Sequence, residues 1–239
     1  MPSTNPDIIH LRRLYIIEPL SGTITLEGNQ HHYIRNVMRM DEGDKIRLFN
    51  AKDGEYLGII DTVKKKETQL TITKQLRPQY QKKRKVTLIT PILEKERMRW
   101  MIEKATELGI THYQPITTER SEIKKLNEEK TTAHMIEAAE QCERLDIPQI
   151  LPILALNGLD YHDTIFAAIE RMDRKKQIPA SAEKTDIAIM IGPPGGFTGD
   201  EKEILTATKN IIPVDLGKNI LRSETAALKM LSLCTSFFS

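Results

Sequence analysis

Cysteine, aromatic residues and long apolar runs are all scarce in this 239-residue chain. Two cysteines, Cys142 and Cys234, cannot build a disulfide framework or a cysteine-rich zinc site. They fit a reducing cytoplasm, and a cytoplasmic protein is the expectation. Aromatics make up 5% of the chain, with Trp100 the single tryptophan. No apolar run approaches the ~18 residues of a membrane helix. The stretch from Met1 to Leu20 has no signal-peptide core, because Arg12 and Arg13 interrupt its apolar residues. A membrane partner is therefore not expected. What is present is ordinary for a globular protein: 39% hydrophobic and 28% charged residues, with length for one or two domains and a sizeable core.

Neither sign of charge dominates overall, with a net charge of +2, but the distribution is uneven. Residues 1–85 hold 16 Lys and Arg against 10 Asp and Glu, whereas residues 86–239 hold 19 against 23. A basic front suits a polyanion, though a solvated asymmetry with no ligand fits equally.

The first third reads as short strands. Ile24–Leu26, Lys45–Phe49, Tyr56–Ile60 and Gln69–Thr73 are rich in β-branched residues. Asp41-Glu42-Gly43-Asp44 and Lys52-Asp53-Gly54 supply turn chemistry between them. This pattern predicts a small β-barrel with one helix, His31 to Met40. The polar run from Arg77 to Lys85 predicts a linker. The division is thus residues 1–77, a linker over 78–85, and residues 86–239.

The pattern then changes to alternating strands and helices. Val86–Ile89 reads as a buried strand, and Glu94–Leu108 as a helix with Met98, Met101, Ile102, Ala105 and Leu108 on one face. Gly109 stands where a helix C-cap belongs. Further strands are expected at Ile110–Ile116, Gln149–Leu154, Thr164–Ala168 and Ile187–Ile191, with a helix from Thr132 to Arg144. Such alternation predicts an α/β domain with a parallel sheet.

Two glycine loops carry the chemistry. Ile187–Ile191 empties into Gly192-Pro193-Pro194-Gly195-Gly196-Phe197, and Thr198 with Glu201 has capping-box spacing for the helix that follows. A second strand ends at Leu216-Gly217, before Arg222 and a helix that Ser223 can cap. Ligands of open α/β sheets sit at the carboxyl ends of strands. Neither loop is a dinucleotide fingerprint, and neither has the lysine of a P-loop. Each read alone could be a tight turn without a ligand. His31-His32 has no further ligand cluster beside it, so packing or RNA contact is expected rather than a metal. Cys142, beside Ala138 and Ala139, is expected to be buried. Trp100 is expected between helices or at a subunit interface, and Lys64-Lys65-Lys66 in a solvated turn.

Four segments together resemble the bacterial 16S ribosomal RNA uridine N3-methyltransferases, the RsmE type of the SPOUT superfamily. They are His31-His32-Tyr33-Ile34-Arg35-Asn36-Val37-Met38-Arg39 with Glu42-Gly43-Asp44; Lys104-Ala105-Thr106-Glu107-Leu108-Gly109 with Glu119-Arg120-Ser121; Glu137-Ala138-Ala139-Glu140-Gln141; and the two glycine loops. Pro194 departs from the family pattern, which has glutamate there. That departure leaves open a non-catalytic assembly factor that keeps the fold and the RNA grip.

The resemblance implies a PUA-like RNA-binding β-barrel in front of a SPOUT α/β domain with a deep trefoil knot. It implies S-adenosyl-L-methionine as cofactor, 16S rRNA or the assembled small ribosomal subunit as substrate, and a homodimer. No metal is implied. Carried onto this chain, the cofactor residues are Ala167, Ile191, Gly192, Pro193, Gly195, Gly196, Leu216, Gly217, Asn219, Ile220, Leu221, Ser223 and Ala226. Arg222 and Arg13 are candidates to stabilise a uracil anion, with Glu224 as a proton acceptor or a first-turn acid. RNA contact falls to Arg12, Arg13, Arg35, Arg39 and Lys45.

Overall fold

A computed structural model describes residues 8–79, 84–159, 163–169, 186–214 and 216–235. The middle of the expected linker, residues 80–83, lies outside them. The chain divides into two compact units: Met1–Gln81 with Ala139–Asp146, and Lys82–Ala138 with Ile147–Ser239.

The first unit is built on strands β1 (Arg13–Tyr15), β2 (Thr23–Glu27), β3 (Lys45–Asn50), β4 (Gly54–Val63) and β5 (Glu67–Arg77). They form one sheet in the order β1-β3-β4-β5-β2. The β1–β3 pair is parallel and the others antiparallel. No pairing joins the edges β1 and β2 among the described residues. Leu14, Ile16, Leu26, Ile34, Ile46, Leu48, Ile60 and Leu70 make its core. The helix expected over 31–40 starts earlier: α1 (Gly28–His32) continues as a π-helical turn, Tyr33–Met38. It ends on Arg39, which adopts left-handed geometry with φ 53°. β1 has only three residues, too few for a period to show in sequence.

His31 serves the packing of this unit. It is buried, with Nδ1 2.8 Å from Thr68 Oγ1 and Nε2 3.3 Å from the Lys65 carbonyl. The Lys64–Lys66 run is exposed, and Lys64 pairs with Glu67.

Residues 139–146 join the first unit through a buried ionic cluster. Glu55, fully buried, accepts from Arg13 Nε at 2.7 Å and Arg77 Nε at 2.6 Å. Arg13 also donates to the carbonyls of Ala139 (2.6 Å), Glu140 (3.1 Å) and Arg144 (3.0 Å), and lies over the Phe49 ring. Arg47 donates to Glu143 Oε1 at 2.6 Å, and Arg77 to the Glu143 carbonyl at 2.9 Å. The last carbonyls of a helix lack intrahelical donors and carry partial negative charge, which these guanidinium groups satisfy.

That helix is α3 (Glu128–Gln141), displaced from the expected Thr132–Arg144. Asn127 accounts for the early start, since its Oδ1 accepts from Lys130 N–H at 2.9 Å. Glu143 accounts for the early end, with φ 61° just beyond the helix. Cys142 therefore lies past the apolar helical face and is exposed, against the expectation that it is buried.

The second unit holds a seven-stranded sheet, with β6 (Val86–Pro91), β7 (His112–Thr117), β8 (Gln149–Ile150), β10 (Thr164–Ala168), β11 (Ile187–Ile191) and β12 (Ile211–Val214) in the order β12-β10-β11-β6-β7-β8. All its pairs are parallel. The strand expected over 149–154 is split, because β9 (Leu154–Ala155) pairs with β7 separately from β8. Pro152 lies between them and cannot donate to a ladder. Helix α2 (Lys95–Glu107) buries Met98, Met101, Ile102 and Ala105, as its periodicity predicts, and packs on α5 (Ser223–Thr235). Gly109 follows it with φ 90°. Trp100 on α2 is 44% exposed. No helix among the described residues is long and apolar enough to cross a membrane.

Candidate active site

β10, β11 and β12 end side by side, and their carboxyl ends open into a cleft of about 640 Å³. A parallel sheet buried on both faces leaves this edge as the place where main chain can meet a ligand. β11 is buried at every residue, so the chain leaves the core abruptly at Gly192.

The first loop is shaped by what glycine lacks. A side-chain carbon on Gly192 would come within 2.9 Å of the Phe197 ring. Gly196 has φ 69°, and its N–H donates to the Pro193 carbonyl at 2.8 Å. Thr198 and Glu201 form the reciprocal capping box that their spacing predicts, starting α4 (Gly199–Ala207).

The second loop turns at Gly217, with φ 101°. Lys229, from α5, donates to the Leu216 carbonyl at 2.7 Å and holds the strand exit. Ser223, expected to cap α5, does not do so with its hydroxyl; that hydroxyl donates to the Gly192 carbonyl at 3.0 Å and joins the two loops. The N-cap is Arg222, whose carbonyl accepts from the Ala226 N–H at 2.8 Å.

Most of the residues singled out in sequence line this one cleft. Ile191, Gly192, Pro193, Gly196, Leu216, Gly217, Asn219, Ile220, Leu221, Ser223 and Ala226 all border it. Ala167 and Gly195 do not. Ala167 is fully buried with Ile165 in a core cluster, while its neighbour Ala168 faces the cleft. The period of two along a strand makes a one-residue displacement a change of face. The Gly195 carbonyl instead accepts from Arg120 Nη1 at 2.7 Å. Sequence reasoning passed over Ile169, Phe197, Val214 and Lys218, which also border the cleft. Phe197 had a signal, an aromatic directly behind two glycines; Lys218 had none beyond adjacency to Gly217.

Arg222 stands between the lining residues Leu221 and Ser223, and its side chain is exposed. Glu224 is buried and ion-paired: Arg97 Nε lies 3.0 Å from each of its carboxylate oxygens. Burial would raise the Glu224 pKa, but the hydrogen bond from Arg97, its own backbone N–H and the charges of Arg97 and Arg222 outweigh it. The net effect holds the carboxyl below its ordinary value of 4.5.

A pH dependence follows. The folded protein holds this proton less tightly than the unfolded chain, so the pair's stabilisation is complete above about pH 4.5. It is lost as pH falls through the lower folded value. Arg97→Gln is expected to abolish that contribution, seen as a shallower fall of melting temperature between pH 5 and 3. An unchanged acid profile would contradict it.

The front candidates lie in the first unit. Arg12, Arg35, Arg39 and Lys45 are exposed. Arg13 is not: it is 5% exposed, with its guanidinium committed to Glu55 and the carbonyls after α3. Glu103, His134 and Glu137 lie close enough to share an ion, but Arg99 already sits 2.6 Å from Glu103 and 3.9 Å from Glu137.

Two family models match this architecture: an RNA methyltransferase domain over residues 80–235 and an RNA methyltransferase PUA domain over residues 26–73. The two matches together define an RNA methyltransferase that carries a PUA domain. Ribosomal RNA small subunit methyltransferase E of Rickettsia conorii is 35% identical over 90% of this chain and 91% of its own length. That of Bacillus subtilis is 29% identical over 88% of both. The solved enzyme of the same name from Neisseria gonorrhoeae, bound to S-adenosyl methionine, superposes with a TM-score of 0.80, 27% identity, and coverage of 96% of this chain and 98% of that one. A Legionella pneumophila methyltransferase with bound cofactor SAM gives 0.83, 28%, 95% and 97%. The chain belongs to the ribosomal RNA small subunit methyltransferase E family.

Proposed function

We propose that the protein transfers the methyl group of S-adenosylmethionine to N3 of a uridine in 16S ribosomal RNA. The observation that carries this is the single cleft at the ends of β10, β11 and β12, made from two glycine loops tied by Ser223, in a chain of this family. Its volume suits a ligand of cofactor size, and its lining is mostly apolar with main-chain polar groups. Gly192, Gly196, Leu216, Gly217 and Leu221 would hold the cofactor. When bound, it supplies an electrophilic methyl group on sulfonium.

The uracil N3 is a poor nucleophile until its proton leaves to solvent water. Holding it in line with the methyl group lowers the barrier by positioning. Arg222 stabilises the uracil anion as a fixed cation, since arginine does not deprotonate readily. Glu224 is a weak base while paired with Arg97, so its role here is to hold the start of α5 rather than to take the proton. The target base must be unpaired or flipped to enter.

Arg12, Arg35, Arg39 and Lys45 contact RNA, with Arg13 supporting the fold beneath them. The reading extends to a trefoil knot in the last loops, to a cytoplasmic enzyme, and to a homodimer that covers the exposed Trp100 and Leu233. Mass spectrometry of rRNA from a strain lacking the protein tests the function: one methyluridine should disappear. An intact methylation pattern, with defective subunit assembly, would instead support the non-catalytic factor suggested by Pro194.

Gly196→Val and Gly217→Val are expected to weaken S-adenosylmethionine binding at least about tenfold. Both positions have positive φ, where a β-branched residue is strained, and both border the cleft. Calorimetry on folded variants decides; wild-type affinity would remove these glycines from the site. Neutralising Arg35, Arg39 and Lys45 together is expected to lower the slope of log affinity against log salt for the small subunit by about 2. Cofactor affinity should not move. A parallel loss of both would mean that RNA grip and cofactor binding are not separate.

A further inference from the structure

The loop over residues 192–196 is made only of glycine and proline, so it has no functional side chain with which to fix its own shape. Besides the Gly196–Pro193 bond and the Ser223 tie to Gly192, it is held from a turn elsewhere in the sheet. After β7, Thr118 and Ser121 close a tight turn. The Thr118 N–H donates to Ser121 Oγ at 2.9 Å, the two hydroxyl oxygens lie 2.9 Å apart, and the Ser121 N–H returns to the Thr118 carbonyl at 3.1 Å. Both side chains are buried. The turn reaches the glycine loop twice. Arg120 Nη1 donates to the Gly195 carbonyl at 2.7 Å, with its methylene stem 3.4 Å from where a Gly195 side chain would begin. The Glu119 N–H donates to Glu201 Oε1 at 2.8 Å, while Glu201 Oε2 accepts from the Thr198 N–H at 2.9 Å. One buried carboxylate thus joins the turn to the exit of the loop.

Resting on the reading of the cleft as the cofactor site, we infer that Arg120 and Glu201 are positioning residues that clamp the 192–198 loop in its ligand-ready shape without lining the cofactor cleft. Gly195 then has a role different from the one expected of it: its carbonyl is the anchor point and not a wall of the pocket. Ordering a loop before the ligand arrives removes that entropic cost from binding. Losing the Arg120 bond should therefore weaken affinity about fivefold, the size of one net hydrogen bond. A cofactor at saturation restores the shape, so the effect falls on KM and not on kcat.

Arg120→Met keeps the apolar stem and removes the donor, whereas Arg120→Lys keeps a donor. Arg120 is exposed, so neither change threatens folding. In the ligand-free protein, hydrogen exchange at the Gly196 amide is expected to accelerate about fivefold in Arg120→Met and less than twofold in Arg120→Lys. S-adenosylmethionine Kd by calorimetry should rise about fivefold in Arg120→Met and stay within twofold in Arg120→Lys. KM for the cofactor should follow Kd, with kcat unchanged within twofold. Arg99→Ala, another exposed arginine of this unit, should change none of these. Wild-type exchange and Kd in Arg120→Met would overturn the clamp, as would a fall in kcat with KM unchanged. Failure of the wild-type protein to bind S-adenosylmethionine would refute the cofactor reading, while the exchange result would still decide the clamp.

Discussion

Replacing Arg222 with alanine is expected to lower the single-turnover methylation rate about 100- to 1,000-fold, the usual consequence of removing one preorganised group from a developing charge. S-adenosylmethionine affinity should stay within a few-fold, because the contribution is larger in the transition state than in the ground state. The structure makes a clean outcome possible. The side chain is exposed, its charge acts on Glu224 less than that of Arg97 does, and the Arg222 carbonyl starts α5; alanine preserves that carbonyl. Melting temperature should therefore change little. Arg222→Lys should recover only part of the rate, since a point charge does not reproduce the planar fork. If rate, affinity and melting temperature all fell together, Arg222 would be holding the loop, and a normal rate would remove it from the mechanism.

Glu55→Ala should have the largest effect on stability. Glu55 is fully buried and neutralises a cluster of Arg13, Arg47 and Arg77. Taking away the carboxylate leaves buried guanidinium groups uncompensated, which costs about 3–5 kcal/mol. For a chain of this length that is a fall of roughly 10 °C in melting temperature. The backbone amides of residues 139–146 are expected to exchange faster, because Arg13 and Arg77 hold that segment through its carbonyls. A variant within 1 kcal/mol of the wild type by denaturant unfolding would show that the cluster is incidental. Arg222→Ala provides the contrast, with rate lost and stability kept.

These two arginine sites illustrate how far residue type alone can be read. Arg13, which follows Arg12, and Arg222 are both cations next to a leucine in the sequence. Arg222 follows a strand-end glycine loop, and local order alone places it between the lining residues Leu221 and Ser223. Arg13 faces Glu55, 42 residues away, and carbonyls 126 to 131 residues away. No local pattern encodes a partner at that separation, so its burial emerges only when β1 pairs with β3.

The helices show the same division. α2 and the α4 capping box follow from spacing within four residues, and both stand where that spacing puts them. α3 begins at a side-chain cap, Asn127, that the expected start at Thr132 passed over, and ends at a left-handed Glu143 that no local pattern announces. Its last carbonyls are satisfied by donors from β1 and β5 rather than by a glycine cap, so the sequence carries no stop signal there.

By itself the sequence determined the change from short strands to alternating strands and helices, the strand-end glycine loops, and most of the residues that border the cleft, because each depends on residues close together in the chain. Only the tertiary structure decided which face Ala167 and Ala168 present, that Ser223 spends its hydroxyl on Gly192, and that the turn after β7 grips Gly195. Those outcomes depend on the neighbours that a parallel sheet brings to its edge. The strand order β12-β10-β11-β6-β7-β8 is a long-range choice, made by the burial of whole strands against one another and not by any one stretch of chain.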